Sequence, residues 1–285
     1  MSLLIIAISI SMVMFLLASG LTLIFGVFGV VNFAHGVLYM LGAFIGYQMF
    51  QWTGNFWLAL ILSPILVAVV GAGIEIFLLR PVYKLDHSYQ LMIQLGVIFV
   101  MVDLVKSIWG AEFLMFPKPP LLSQAIHFFG SDIDPYRLFI IGLSFLIAVG
   151  LFWSLEKTNW GIAVRSASSN GVMAECLGIN VSSLRTMVFA IAAGLAALGG
   201  VAVAAIYPID VLMGDAILID CFIVVIVGGL GNIQGAVLGA LIIGFVRAYG
   251  QYFMSDWVNI LTYSAFLVIL LVLPEGLFSR RRRWA

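Results

Sequence analysis

The sequence predicts an all-α, polytopic helical membrane protein, with about eight to nine transmembrane helices and a helical segment outside the bilayer. Three observations carry this. Composition is the first: 64% of residues are hydrophobic, only 9% are charged, and mean hydropathy is +1.19. Soluble globular chains are about 45–50% apolar and about 25% charged. Second, apolar runs of roughly twenty residues recur along nearly the whole length, as long as a helix must be to cross a hydrocarbon core. A transmembrane β-barrel would show weak alternating segments instead. Third, a polar island runs from Glu156 to Arg185 between long apolar runs, and a stretch so polar must lie outside the bilayer.

Taken in order, the expected spans fall at about 3–25, 34–52, 57–79, 91–110, 137–155, 186–206, 216–231, 234–250 and 258–274. The first run lacks a basic n-region and a small-residue cleavage site, so it is expected to be a span rather than a removed signal. The stretch Gly26 to Gly36 reads either as a loop or as a break inside the membrane. Orientation follows from Lys and Arg in short loops. Arg80 and Lys84 fall in one loop, Lys157, Arg165 and Arg185 in the island, and Arg280 to Arg283 at the C-terminus. These regions are expected in the cytoplasm. Loops carrying Glu112, Asp132, Asp134, Asp210 and Asp215 then face outward, with Lys118 and Arg137 as exceptions. Nine spans put the N-terminus outside. Residues 1–285 read as one membrane domain with a cytoplasmic segment at about 157–185.

Formal net charge is zero, so nothing argues for nucleic acid. Cys176 and Cys221 fall in different environments and give no disulfide framework. His35, His87 and His127 form no metal-ligand pattern, and no paired-carboxylate or Ser/His/Asp set is evident, so neither a metal nor a catalytic residue is expected. No phosphate-binding G-x-x-x-x-G-K-[ST] loop occurs. Energy for uphill movement must therefore come from a partner or an ion gradient.

Inside the island, Asn170 is placed to cap a short helix. Val172, Met173, Cys176 and Leu177 fall on one helical face, and Gly178 follows as a terminator. Two turns are unstable alone in water. The pattern suits an apolar face, Leu177 included, that docks into a groove on another protein.

Two Gly-rich segments resemble each other. Val31-Asn32-Phe33-Ala34-His35-Gly36 continues to Gly42 and Gly46, and Gly228-Gly229-Leu230-Gly231-Asn232-Ile233-Gln234-Gly235 continues to Gly239 and Gly244. Glycines at about four-residue spacing let helices approach closely, and paired Gly-rich interruptions can also mark a transport pathway. Asn32, His35, Asn232 and Gln234 are the pathway candidates, with tight packing as the alternative. Five charges lie in or near spans: Glu75, Asp103, Lys106, Asp220 and Arg247. Asp103 and Lys106 are placed to pair at i, i+3. Glu75 is expected to reach water at the inner end of its span. Asp220 and Arg247, expected about one turn inside the outer surface on neighbouring spans, are the candidate structural pair.

With these motifs in order, the chain resembles the membrane permease subunits of bacterial ABC importers for branched-chain amino acids, the LivH type. The resemblance rests on Gly20-Leu21-Thr22 through Phe25-Gly26, Val31 to Gly36 with Gly42-Ala43, and Arg80-Pro81. It continues in the island with Gly161, Arg165, Asn170, Ala174, Gly178, Ile179 and Asn180, then Gly228 to Asn232 with Gly235 and Gly239, and ends with Pro274-Glu275-Gly276-Leu277-Phe278. It implies a second, related permease subunit, two cytoplasmic ATPases that use ATP and Mg, a periplasmic substrate-binding protein, and an inner-membrane location with the C-terminus cytoplasmic. It implies ATPase-coupling roles for Arg165, Asn170, Ala174, Glu175, Gly178 and Ile179. The permease itself would bind no cofactor. The implied solute is a branched-chain amino acid or a similar small polar molecule. Urea, short amides, aromatic acids and sugars are the alternatives within the superfamily, and a passive channel is the alternative from another class.

Overall fold

The computed structural model describes residues 2–29, 31–83, 85–124, 126–128 and 131–278. Lys84 and Arg280 to Arg283, which bear on orientation, lie outside the described residues. Among the described residues eleven α-helices follow in order: α1 (Ser2–Phe28), α2 (His35–Thr53), α3 (Phe56–Ile74), α4 (His87–Trp109), α5 (Pro135–Lys157), α6 (Asn159–Ser169), α7 (Gly171–Cys176), α8 (Val181–Ala204), α9 (Met213–Gly228), α10 (Ile233–Phe253) and α11 (Val258–Val272). Beyond Ile74, α3 continues as a π-helical turn, Glu75–Leu79, and a 3₁₀ turn, Arg80–Val82. Among the described residues the strands are a short antiparallel pair, β1 (Ile126–Phe128) and β2 (Ser131–Ile133), in the long α4–α5 connection.

Nine of these helices occupy the nine expected segments. Among the described residues, seven candidate spans are long and apolar enough to cross a membrane: Leu3–Phe28, Phe56–Val82, His87–Trp109, Pro135–Lys157, Val181–Ala204, Ile233–Phe253 and Ser255–Val272. The chain is therefore a multi-pass helical membrane protein. The other two, α2 and α9, fall short for physical reasons. With 16 residues, α9 is only about 24 Å long. Helix α2 is less apolar, but every residue from His35 to Phe44 is buried. A helix wrapped by protein has no lipid-facing side to keep apolar.

Turn chemistry sets the element ends. Gly54 (φ 64°) closes α2, and the Asn55 side chain accepts from Trp57 N at 2.9 Å to start α3. Asp134 caps α5 through Tyr136 N at 3.0 Å, with Pro135 at the first helical position. Helix α8 is central, packing on α1, α2 and α3, while α1 also packs along α10. Close approach depends on small residues. A methyl group added to Gly42 would overlap Ala197 of α8, one added to Gly36 would overlap Gly214 of α9, and one added to Gly235 would overlap Gly228. Helices α4, α5 and α11 are peripheral, with few buried residues.

The alternation of helices puts the α1–α2 turn, the end of α3, the island, the α9–α10 turn and residues 273–278 at one end of the bundle. Gly231 meets Gly26 there. The α4–α5 and α8–α9 connections lie at the other end, joined by reciprocal hydrogen bonds between Leu114 and Ile209.

Candidate functional site: the island and the adjoining end of the bundle

The island is built of two helices, where the sequence had shown one. Thr158 Oγ1 accepts from Gly161 N at 3.2 Å and starts α6, which buries Gly161, Val164 and Ala167 and leaves Arg165 exposed. Asn170 Oδ1 then accepts from Met173 N at 3.0 Å and starts α7. Gly178, at φ 86°, closes α7: its N–H donates to Glu175 O at 3.0 Å, and Ile179 N donates to Ala174 O at 3.0 Å. This is a Schellman closure, and the left-handed φ is why glycine stands there. Asn180 caps α8 through Ser183 N at 2.9 Å, so α7 passes into α8 with no free linker.

The short helix is held from one side. Ala174 is buried, and Ile179 is half-buried against a small apolar cluster of α1, α5, α6 and α8 that includes Val27, Leu151, Val164, Val181 and Leu184. The opposite side is bare. Val172 is 74% exposed, Met173 57% and Leu177 74%, with Glu175 and Cys176 exposed beside them. Val172 and Met173 of the six-residue helix and Leu177 just after it thus leave an apolar patch exposed.

At the same end, Asn32 is buried in the α1–α2 turn. Its Oδ1 accepts from Ala34 N at 3.1 Å, and its Nδ2 has no partner among the described residues. It lines a cavity of about 20 Å³ with Phe28, Leu79, Tyr83, Gln90 and Gln94, enough for about one water. Gln94 Oε1 accepts from Phe33 N at 2.7 Å, tying α4 to this turn. His35 is fully buried one turn further on, its Nε2 3.0 Å from Leu17 O of α1.

The two Asn-Gly segments are alike in sequence but not in setting. Asn232 is half-buried and caps α10 through Gln234 N (2.9 Å) and Gly235 N (3.2 Å), while its Nδ2 donates to Phe278 O at 2.9 Å. Gln234 is exposed. After α11 the chain folds back: Leu277 N donates to Val227 O at 2.8 Å and Phe278 N to Gly228 O at 3.2 Å. The Pro274 to Phe278 segment thus seals the α9–α10 turn, which sequence had shown only as a stop.

Arg247 of α10 forms an ion pair with Asp220 of α9 through Nη1 and Oδ2. Both lie about two turns inside their helices, deeper than the one turn expected. Asp103 and Lys106 are 3.8 Å apart on α4.

Glu75 corrects a second expectation. It does not reach water: its side chain is fully buried. Oε1 accepts from Arg80 Nε (3.3 Å) and Tyr83 OH (3.2 Å), and Oε2 from Arg80 Nη2 (2.8 Å) and Thr186 Oγ1 (2.7 Å). Arg80 Nη2 also reaches Thr186 Oγ1. Burial, then the Glu75 charge, push the Tyr83 phenol above its ordinary range, so Tyr83 remains a donor. Arg185 lies over the Tyr83 and Phe28 rings at 5.3 and 5.8 Å. The adjacency of Glu75 and Arg80 is visible in sequence; Thr186 is not.

Comparison with known proteins adds the family. The family described as "Branched-chain amino acid transport system / permease component" matches residues 3–273. The LivH permease protein of the high-affinity branched-chain amino acid transport system of Salmonella typhimurium is 26% identical over 279 residues, covering 93% of this chain and 91% of the relative. BraD of the corresponding system in Pseudomonas aeruginosa is 28% identical over 283 residues, covering 93% and 91%. The ribose import permease RbsC of Haemophilus influenzae is 26% identical over 156 residues, 52% of this chain and 47% of the relative. No solved structure matches. With nearly its whole length matched and its helices in the expected order, this chain belongs to the branched-chain amino acid transport system permease family.

Proposed function

We propose that this chain is one membrane subunit of an ABC importer in a bacterial inner membrane. It would move a branched-chain amino acid or a similar small polar organic solute inward by alternating access. A second, related permease subunit would complete the pathway, a periplasmic binding protein would deliver the solute, and two cytoplasmic ATPases would supply energy using ATP and Mg. The island and the C-terminus would face the cytoplasm.

The observation that carries this reading is the bare apolar face of α7. Val172, Met173 and Leu177 are exposed while Ala174 is buried. A side pressed into the bundle and a side left apolar and open suit a helix clamped between its own protein and a partner. Asn170, Gly178 and Ile179 fix its shape, and Glu175 on α7 and Arg165 on the preceding α6 add exposed charge. ATP-driven movement of the partners would push α7, and with it α6 and α8, against the spans. Among the pathway candidates, Asn32 is assigned to the inner end, because its buried Nδ2 has no partner among the described residues and Asn32 lines a small, mostly apolar cavity. His35 would hold α1 to α2 beside it, and Asn232 and Gln234 would frame the α9–α10 turn at the same end.

The partial similarity to a ribose permease favours a sugar-like solute as a second reading. Identifying the ligand on the co-purified binding protein separates the two. The test of the coupling role is Leu177→Asp in the assembled complex. Copurification of the ATPases or their stimulation by the permease should fall, with the chain still in the membrane. Normal association and transport would remove α7 from the coupling role.

A further inference from the structure

Glu75 is fully buried near the end of a long membrane helix, and its carboxylate accepts hydrogen bonds from three side chains. Arg80 and Tyr83 reach it from its own chain segment, and Thr186 reaches it from α8. Thr186 sits on the second turn of α8. The turn before it begins at the Asn180 cap, two residues past the Gly178 closure of α7. Any displacement of α7 must therefore arrive at Thr186 with little slack. On the other side of the cluster, Tyr83 and Leu79 are walls of the Asn32 cavity. The Tyr83 hydroxyl is held by Glu75, and its ring is covered by Arg185, the neighbour of Thr186. Between these points α3 is wound as a π-helix, Glu75–Leu79, the sort of local insertion that often lies at functional sites.

We infer that Glu75, Arg80 and Thr186 are positioning residues for transport, linking the exposed island to the wall of the Asn32 cavity. The chain of contact is α7, the first turns of α8, Thr186, the Glu75 carboxylate, and then Tyr83. A buried carboxylate with four hydrogen bonds is a stiff joint, since losing any one leaves charge unsatisfied in a place that solvates it poorly. An apolar contact at the same place would slide. The inference rests on the reading of α7 as the driven element, and it adds how that drive reaches the pathway.

The test uses the assembled transporter in proteoliposomes, with solute uptake and ATP hydrolysis measured on the same vesicles. Glu75→Gln removes the charge, and Thr186→Val replaces one hydroxyl by a methyl of similar shape. Both should retain the ATPases and hydrolyse ATP, while solute moved per ATP falls about tenfold, in line with one lost charged hydrogen bond. Glu75→Asp should recover part of the ratio. If Glu75→Gln folds poorly, Thr186→Val decides by itself. An unchanged ratio in Thr186→Val overturns the inference, as does loss of ATPase association in that variant, which would mark the cluster as purely structural. Failure of the α7 reading is separable: it is read from Leu177→Asp, which leaves the Glu75 cluster intact.

Discussion

Thr186 Oγ1 donates to Glu75 Oε2 at 2.7 Å, joining two helices across 111 residues of sequence. Such a bond is what permits a carboxylate to be buried at all. Removing an isolated carboxylate from water costs several kcal/mol, and the penalty is offset only where donors surround it. Glu75 has donors on both oxygens from three side chains.

Removing the cation should therefore cost more than removing the pair. Arg80→Met leaves Glu75 buried without its charge partner, and about 3 kcal/mol of stability should be lost, the low end of the range because Arg80 is partly exposed. Glu75→Leu with Arg80→Met should lose less. Unfolding in detergent measures both. A double variant less stable than Arg80→Met would contradict the ion pair's role.

Asp220 and Arg247 should show coupling of the same kind. Asp220→Asn and Arg247→Gln should each lower the folded yield, and the double change should cost less than their sum, with a coupling of about 3 kcal/mol. A double-mutant cycle in detergent is the check, and simple additivity would show that the contact carries no energy.

The close helix contacts predict opposite outcomes for one kind of substitution. Gly235→Ala drives a methyl group into the Gly228 backbone and should destabilise by about 1–3 kcal/mol. Gly73→Ala in α3 meets nothing within 4 Å and should be neutral or stabilise by about 0.4–1 kcal/mol. Thermal aggregation of the purified chain ranks the two.

In the island, Gly178→Val places a β-branched residue at φ 86°, a cost of roughly 1–2 kcal/mol. Asn170→Ala removes the α7 cap, about 1 kcal/mol. Each change should speed proteolytic cleavage within 165–181 while the spans stay protected. Unchanged cleavage would show that neither residue holds α7 in shape.

The contrast between α7 and the Glu75 cluster shows what sequence makes legible. An Asn before a helix and a Gly after it act on backbone groups a few residues away, so the bounds of α7 are written locally. The nine apolar segments are legible for the same reason, because hydropathy is a property of each segment by itself. Helix α6 was hidden because its buried positions, Gly161, Val164 and Ala167, are too small or too polar-flanked to stand out. Glu75 looked solvated because its partner Thr186 is distant in sequence, and a π-helical turn has no local signature. Asn32 and Asn232 look equivalent by their Gly-rich neighbours, yet one is buried beside a cavity and the other ties down Phe278. That difference arises from tertiary packing alone.

The sharpest test of energy coupling is solute uptake into proteoliposomes, comparing this chain alone with the complete assembly, each with and without ATP. Accumulation is expected only where the second permease, the ATPases, the binding protein and ATP are all present, with no flux through this chain by itself. Solute flux through the single chain, whether down a gradient or driven by ATP, would contradict its role as one subunit of an ATP-driven importer.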